Sequence, residues 1–178
     1  MLLKNLKLRG KSKGIGSIYF RSPGMTSEIY QDPERTAGLF KSGWFDSEDL
    51  GTVDEDGYIA IVDRSKDLIK SGGEWISSVD LENIIMAHPA VLEACVVAIP
   101  HEKWQERPIA WVVPKENRKD KLTKEEVLKF LEGKVFEGRL ARWWLPEEIV
   151  FVAEIPKTGT GKFNKKAIRA KYWNKEVK

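Results

Sequence analysis

Metal centres and covalent cross-links have little to be built from here: 178 residues hold one cysteine and two histidines. Cys95 has no partner for an intrachain bridge and lies in the apolar run VLEACVVAIP, so it reads as core in a reducing compartment, and a disulfide scaffold is excluded. His88 and His101 are too isolated from other donors to suggest a metal site. No apolar stretch approaches the roughly 20 residues of a membrane-spanning helix. The opening MLLKNLKLRGKSKG has neither the apolar centre nor the small-residue cleavage site of a secretory signal. These absences point to a soluble, cytoplasmic protein with no membrane partner. A large charge of one sign is also missing, since the net charge is +3, but eight of the nine charged residues from Lys157 onward are basic. Such a tail can face phosphate, nucleic acid or water.

What is present is ample apolar material, 42% of residues, beneath a surface supplied by 32% charged residues, the composition of a packed globular chain. A chain of this length holds one ordinary domain, or a domain of about 110 residues with an attached arm. The pattern favours the arm. GIGSIYFRSPGMTSEIY, Gly14 to Tyr30, reads as short strands broken by a turn at Ser22 to Met25. Asp32 and Pro33 open a short helix as its cap and first helical residue. GWFDSEDLG and GYIAIVD flank VDEDG, a hairpin with Asp56-Gly57 in its loop. These first sixty residues hold little that could close a core alone.

Beyond Asp63 the elements are better balanced. Leu81, Ile84 and Ile85 fall at i, i+3 and i+4 of a helix that ends at His88-Pro89. VLEACVVAIP and PIAWVVP have the length and β-branched content of buried strands. Thr123 with Glu126 forms a capping box and Leu122 with Val127 a staple, which start a helix running through Leu131. A further strand lies within ARWWLPEEIVFVAEIP, and NKKAIRAKYW reads as a last, basic helix. The connections have hairpin rather than crossover length, so the expected class is α+β. It comprises a small domain over 69–178, a β-rich segment over 1–62 and a connecting stretch over 63–68. Trp104, Trp143 and Trp144 sit in amphipathic contexts where burial accounts for them, which argues against base stacking beside the basic tail.

Two phrases carry chemistry. PKTGTGKF, Pro156 to Phe163, holds Lys162 on a glycine-rich turn whose backbone can approach a ligand while the cation points at it, an arrangement suited to phosphate. It is not a P-loop, which would need glycine at Pro156 and a hydroxyl at Phe163. DRSKDLIKSGGEWISSVDLEN, Asp63 to Asn83, contains Gly72-Gly73, a pair that permits a tight turn or close passage of a narrow ligand beside Trp75. Together, in their spacing, these phrases resemble the C-terminal part of an acyl-CoA synthetase, in the fatty-acyl branch of the adenylate-forming ligases. The resemblance runs from about Gly14 to Arg169.

The resemblance implies a compact C-terminal lid joined by a hinge to a large N-terminal domain, with residues 1–62 as the last stretch of that domain. It implies ATP-dependent joining of a carboxylic acid, a medium- or long-chain fatty acid, to coenzyme A through an acyl-adenylate. Lys162 then corresponds to the catalytic lysine of adenylation. Asp49, in SED where the family usually shows Thr-Gly-Asp, would accept hydrogen bonds from the ribose hydroxyls of ATP, with Glu48 standing in place of glycine. Arg64 would touch ribose or phosphate, and Trp75 would stack on adenine. Lys66 matches the pivot of the hinge. Gly72 and Gly73 match the coenzyme A segment, Gly73 lining the pantetheine tunnel. Lys165, Lys166 and Arg169 are expected on the wet face of the last helix, within reach of coenzyme A phosphates. ATP and coenzyme A are the implied substrates, with magnesium accompanying ATP and ligated outside this chain. The implied partner is a separate N-terminal domain, or a second copy through residues 1–62. The triphosphate loop and acyl pocket of the family belong to that large domain, so the chain alone is expected to be inactive. An anion- or nucleic-acid-binding module built on the basic tail remains the other open class.

Overall fold

Alternating apolar runs become the strands of two separate sheets in a computed structural model, which describes residues 2–4 and 14–173. The chain divides into two units, Met1–Lys66 and Asp67–Lys178, at a point inside the 63–68 stretch.

The first unit contains β1 (Leu2–Lys4), β2 (Gly16–Phe20), α1 (Pro33–Leu39), β3 (Phe40–Lys41), β4 (Trp44–Val53) and β5 (Ile59–Arg64). All pairs are antiparallel. β2 runs along one edge of β4, while β3 and β5 share its other edge at opposite ends, and β1 lies beyond β2. Asp32 caps α1 by accepting the Arg35 N–H, with Pro33 at the first position. The β4–β5 turn closes because the Asp54 carboxylate accepts the N–H groups of Asp56 and Tyr58 and Gly57 takes φ +88°. Among the described residues of this unit, Ile18 is the one buried hydrophobic side chain, whereas Tyr58 and Ile61 are exposed.

The second unit contains β6 (Ile69–Ser71), β7 (Glu74–Ile76), α2 (Ser78–Met86), β8 (Val91–His101), β9 (Gln105–Pro114), α3 (Lys124–Phe136), β10 (Glu148–Phe151) and α4 (Lys165–Trp173). β8 pairs antiparallel along the length of β9; β10 and the end of β6 meet the other edge of β9, with β7 outermost. Strand alternation splits the core into two layers. Ala94, Val96, Ala98, Ala110 and Val112 pack with Leu81 and Ile85 of α2 and Val127 and Leu131 of α3. Cys95, Val97, Ile109, Trp111 and Val113 pack on the opposite face with Ile168 of α4. Among the described residues no helix is long and apolar enough to cross a membrane.

Two sequence expectations need correction. β10 runs parallel to β9, so the chain between them is a crossover carrying α3 and not a hairpin-length link; parallel neighbours cannot be joined by a tight turn. Trp104 and Trp143 are 42% and 50% exposed and thus not core. Both sit in turns between elements, where half of each side chain stays in water.

His88, at the end of α2, is buried against Phe130, and its Nδ1 accepts the Ala90 N–H at 3.2 Å. Burial lowers its pKa, a shift opposed by Glu126 and aided by Arg118 and Lys115. The unfolded chain therefore binds more protons below pH ~6.5, and this site removes stability as pH falls through that region. Urea midpoints measured from pH 8 to pH 5 are expected to drop more steeply for the wild type than for His88→Asn, which keeps an acceptor for Ala90 but does not titrate.

Candidate functional site

The Lys162 segment is a small hairpin with a fixed backbone. Lys157 and Phe163 form an antiparallel bridge, Thr158 N–H donates to Lys162 O at 2.7 Å, and Gly161 N–H donates to Thr158 O at 2.9 Å. Gly161, at φ +79°, supplies the left-handed residue that closes this loop. Lys157 Nζ lies 2.7 Å from Glu93 Oε1 on β8, which ties one side of the hairpin to the sheet. Lys162 itself is exposed. Immediately after it, Asn164 donates its N–H to Pro156 O at 2.7 Å and accepts the Ala167 N–H on Oδ1, joining the hairpin to the first turn of α4.

Lys165 and Arg169 do not lie on a wet face, contrary to the sequence expectation. Lys165 Nζ sits 2.8 Å from Glu82 Oε1 and 2.6 Å from Ser78 Oγ, and Arg169 pairs with Asp67. Their side chains are mostly buried, so neither is displayed for coenzyme A phosphates, whereas Lys166 is exposed. Glu82 and Asp67 were not singled out from the sequence. The available signal was a carboxylate between Leu81 and Ile85 on the apolar stripe of α2, where a charge needs a partner. Glu82 also accepts the Val96 N–H at 2.8 Å, and with burial it helps push the Cys95 thiol up to about 12, which leaves that cysteine unreactive.

Gly72 and Gly73 form the two-residue turn of the β6–β7 hairpin, at φ +61° and +88°. Two successive left-handed residues make the tight turn whose twist matches paired strands. Their surroundings differ. Gly72 N–H donates to Trp104 O at 2.9 Å, and a Cβ there would lie 2.8 Å from the Trp104 ring, while Gly73 faces open space. Trp75 is about half exposed, with Lys70 Nζ 5.4 Å from its ring centroid across the hairpin. Arg107, also missed in the sequence, pins the region: it donates to Ser71 Oγ and to the carbonyls of Trp143 and Leu145, and pairs with Glu147. The hairpin of Lys162 is held near Glu93 and the glycine turn beyond His101, so the length of β8 separates them by roughly 25 Å at a strand's rise per residue.

In the first unit Asp49 and Arg64 face each other across β4 and β5, with Oδ1 to Nε at 3.2 Å. Ser47 Oγ donates to Ile18 O and accepts the Asp49 N–H, which orients the aspartate. Glu48 takes φ +60°, the conformation that glycine would adopt freely at this position. It is held there because its N–H donates to Asp46 Oδ1 and its carbonyl accepts the Ser65 N–H. A side chain in that conformation costs about 1–2 kcal/mol. Lys66 closes the first unit.

Residues 80–162 match the AMP-binding enzyme C-terminal domain. A long-chain-fatty-acid–CoA ligase of Thermus thermophilus is 50% identical over 163 residues, which are 91% of this chain and 29% of the ligase. A medium-chain-fatty-acid–CoA ligase of Ectopseudomonas oleovorans is 43% identical over 164 residues, 92% of this chain and 28% of that ligase. The crystal structure of ATP-bound MatB from Rhodopseudomonas palustris superposes with a TM-score of 0.77 at 31% identity, covering 91% of this chain and 31% of MatB. The chain thus spans under a third of the length of these proteins.

Gly72→Ala combines left-handed strain with a clash against Trp104 and is expected to destabilise the second unit by about 1–3 kcal/mol, with altered tryptophan emission. Urea denaturation followed by fluorescence checks both; an unchanged midpoint would refute the packing role given to Gly72.

Proposed function

We propose that the chain is the C-terminal lid of an adenylate-forming ligase, an ATP-dependent acyl-CoA synthetase acting on medium- or long-chain fatty acids. The observation that carries the reading is the exposed Lys162 on its hairpin, in a chain half identical to a fatty-acyl-CoA ligase. In the first half-reaction a fatty-acid carboxylate oxygen bonds to the α-phosphorus of ATP, the α–β bridging bond breaks, and pyrophosphate leaves. Lys162 Nζ, placed between the acyl oxygen and the phosphate, offsets the negative charge that gathers there. Lysine suits this as a compact, mobile point charge. In the second half-reaction the thiolate of coenzyme A attacks the acyl carbon and AMP leaves. The open space at Gly73 then gives the pantetheine arm a passage beside the β6–β7 hairpin.

Asp49 offers two acceptor oxygens to the ribose, Arg64 donates beside it, and Trp75 presents a face to adenine. The likeness to ATP-bound MatB supports the choice of nucleotide. Because Lys162 and the glycine turn sit at opposite ends of β8, one lid orientation cannot bring both to one reaction centre, which supports rotation about Lys66 between the two half-reactions. Magnesium accompanies ATP and takes its ligands outside this chain. The partner is a large N-terminal domain that brings the triphosphate loop and acyl pocket. The thin core among the described residues of the first unit and the exposed Tyr58 and Ile61 support that partnership. The free thiol of the buried Cys95 fits a cytoplasmic setting. The basic C-terminal region is weakened as a polyanion binder, because Lys157, Lys165 and Arg169 are already paired with carboxylates.

ATP–pyrophosphate exchange with a panel of fatty acids tests this, using the 178-residue chain alone and mixed with the large domain of a related synthetase. Exchange is expected only on mixing, and Lys162→Ala is expected to lower it 10²–10³-fold, roughly the loss of one transition-state charge contact. Full exchange by Lys162→Ala would remove the reading, and exchange by the chain alone would remove the need for a partner. Light scattering distinguishes a bound large domain from a second copy paired through residues 1–62.

A further inference from the structure

We propose that Lys165 and Arg169 are positioning residues for Lys162, acting through α4; this rests on reading Lys162 as the adenylation lysine. The two residues are four apart, so their side chains project from one face of the helix. Each reaches a carboxylate that has little access to water, Glu82 at 9% side-chain exposure and Asp67 at 11%. Two anchors one turn apart hold both the rotation of α4 about its axis and its position along that axis.

The hairpin inherits that placement. Asn164 joins it to α4, through the bond from its N–H to Pro156 O and the cap it provides to Ala167. The other side is held by Lys157 on Glu93. Lys162 lies on the segment that runs directly into α4, three residues before Lys165, so the helix is the base from which its side chain extends. A general property of reacting geometries makes this consequential: a displacement of about 1 Å at the reaction centre can cost 10²-fold in rate. Asp67 is also the first residue of the second unit, directly after Lys66, so α4 ties the lysine hairpin to the end of the unit where the proposed pivot begins.

Hydrogen–deuterium exchange on the 178-residue chain reads this positioning without any activity. Lys165→Met is expected to accelerate exchange at the amides of Thr158, Gly161 and Asn164 severalfold more than at the amides of β8–β9 and α3, and Lys165→Arg is expected to restore slow exchange. Unchanged rates over 156–164, or equal acceleration throughout the unit, would overturn it. Should Lys165→Met fail to fold, the double variant Glu82→Gln with Lys165→Met removes both buried charges together and carries the same expectation. In the mixed enzyme, Lys165→Met is expected to lower ATP–pyrophosphate exchange about tenfold, with KM for ATP and thioester formation from preformed acyl-adenylate unchanged. Equal loss in both half-reactions means a structural role only. Wild-type exchange by Lys165→Met with none by Lys162→Ala rejects the positioning role and leaves Lys162 standing; wild-type exchange by Lys162→Ala rejects the underlying reading.

Discussion

At the outer edge of β8 the Glu82 carboxylate accepts the Val96 N–H and meets the Lys165 ammonium at 2.8 Å. Val96 is one strand residue whose N–H turns away from β9, and α2 and α4 lie on opposite faces of the sheet. One ion pair therefore wraps the strand edge and fastens the two helical layers to each other. Removing charges from water is costly, so such a pair is weak evidence of net stability, yet losing either partner alone leaves a buried charge worth roughly 3–5 kcal/mol of destabilisation. What it supplies is uniqueness: α4 has one seat, and the hairpin that precedes it has one base. The same carboxylate satisfies an edge N–H that would otherwise be open to another strand.

The site turns depend on backbone conformation as much as on side chains. Gly72, Gly73 and Gly161 occupy left-handed positions where glycine is the residue without a steric penalty, and each shapes a turn. Gly72 shows the difference most clearly, because its missing side chain makes room for Trp104. Glu48 adopts the same class of conformation with a side chain attached, held by Asp46 and Ser65. The chain thus keeps the backbone path of a glycine turn at that position while changing its chemistry, and adds a carboxylate next to the Asp49–Arg64 pair.

A scaffold with one long strand pair suits the lid proposed for two half-reactions. β8 and β9 form a stiff axis, with the lysine hairpin tied near one end and the glycine turn near the other. In the proposed function, reorienting the unit exchanges them without deforming either. Arg107 is to the glycine end what Lys165 is proposed to be to the lysine end, since it gathers Ser71, Trp143, Leu145 and Glu147 around one mostly buried guanidinium. Its planar array of donors lets a single side chain hold three segments.

The sequence by itself determined whatever is decided within a few residues. Asp32 and Thr123 as helix caps, the turn at Ser22, the Asp56-Gly57 hairpin and the buried strands around Cys95 and Trp111 were legible, because their hydrogen bonds and periodicities close locally. The two motif phrases were legible for the same reason. Tertiary structure alone decided which distant groups meet. Lys165 and Ser78 are 87 residues apart, and Arg169 and Asp67 are 102 apart, so residues that looked like solvated charges became anchors once β8 brought α2 and α4 to its edge. The parallel seat of β10 beside β9, the ring of Trp104 over Gly72 and the pairing of Asp49 with Arg64 arose in the same way. No local pattern specifies such partners, since they are selected by the burial of whole faces and by the need of each buried charge for an opposite one.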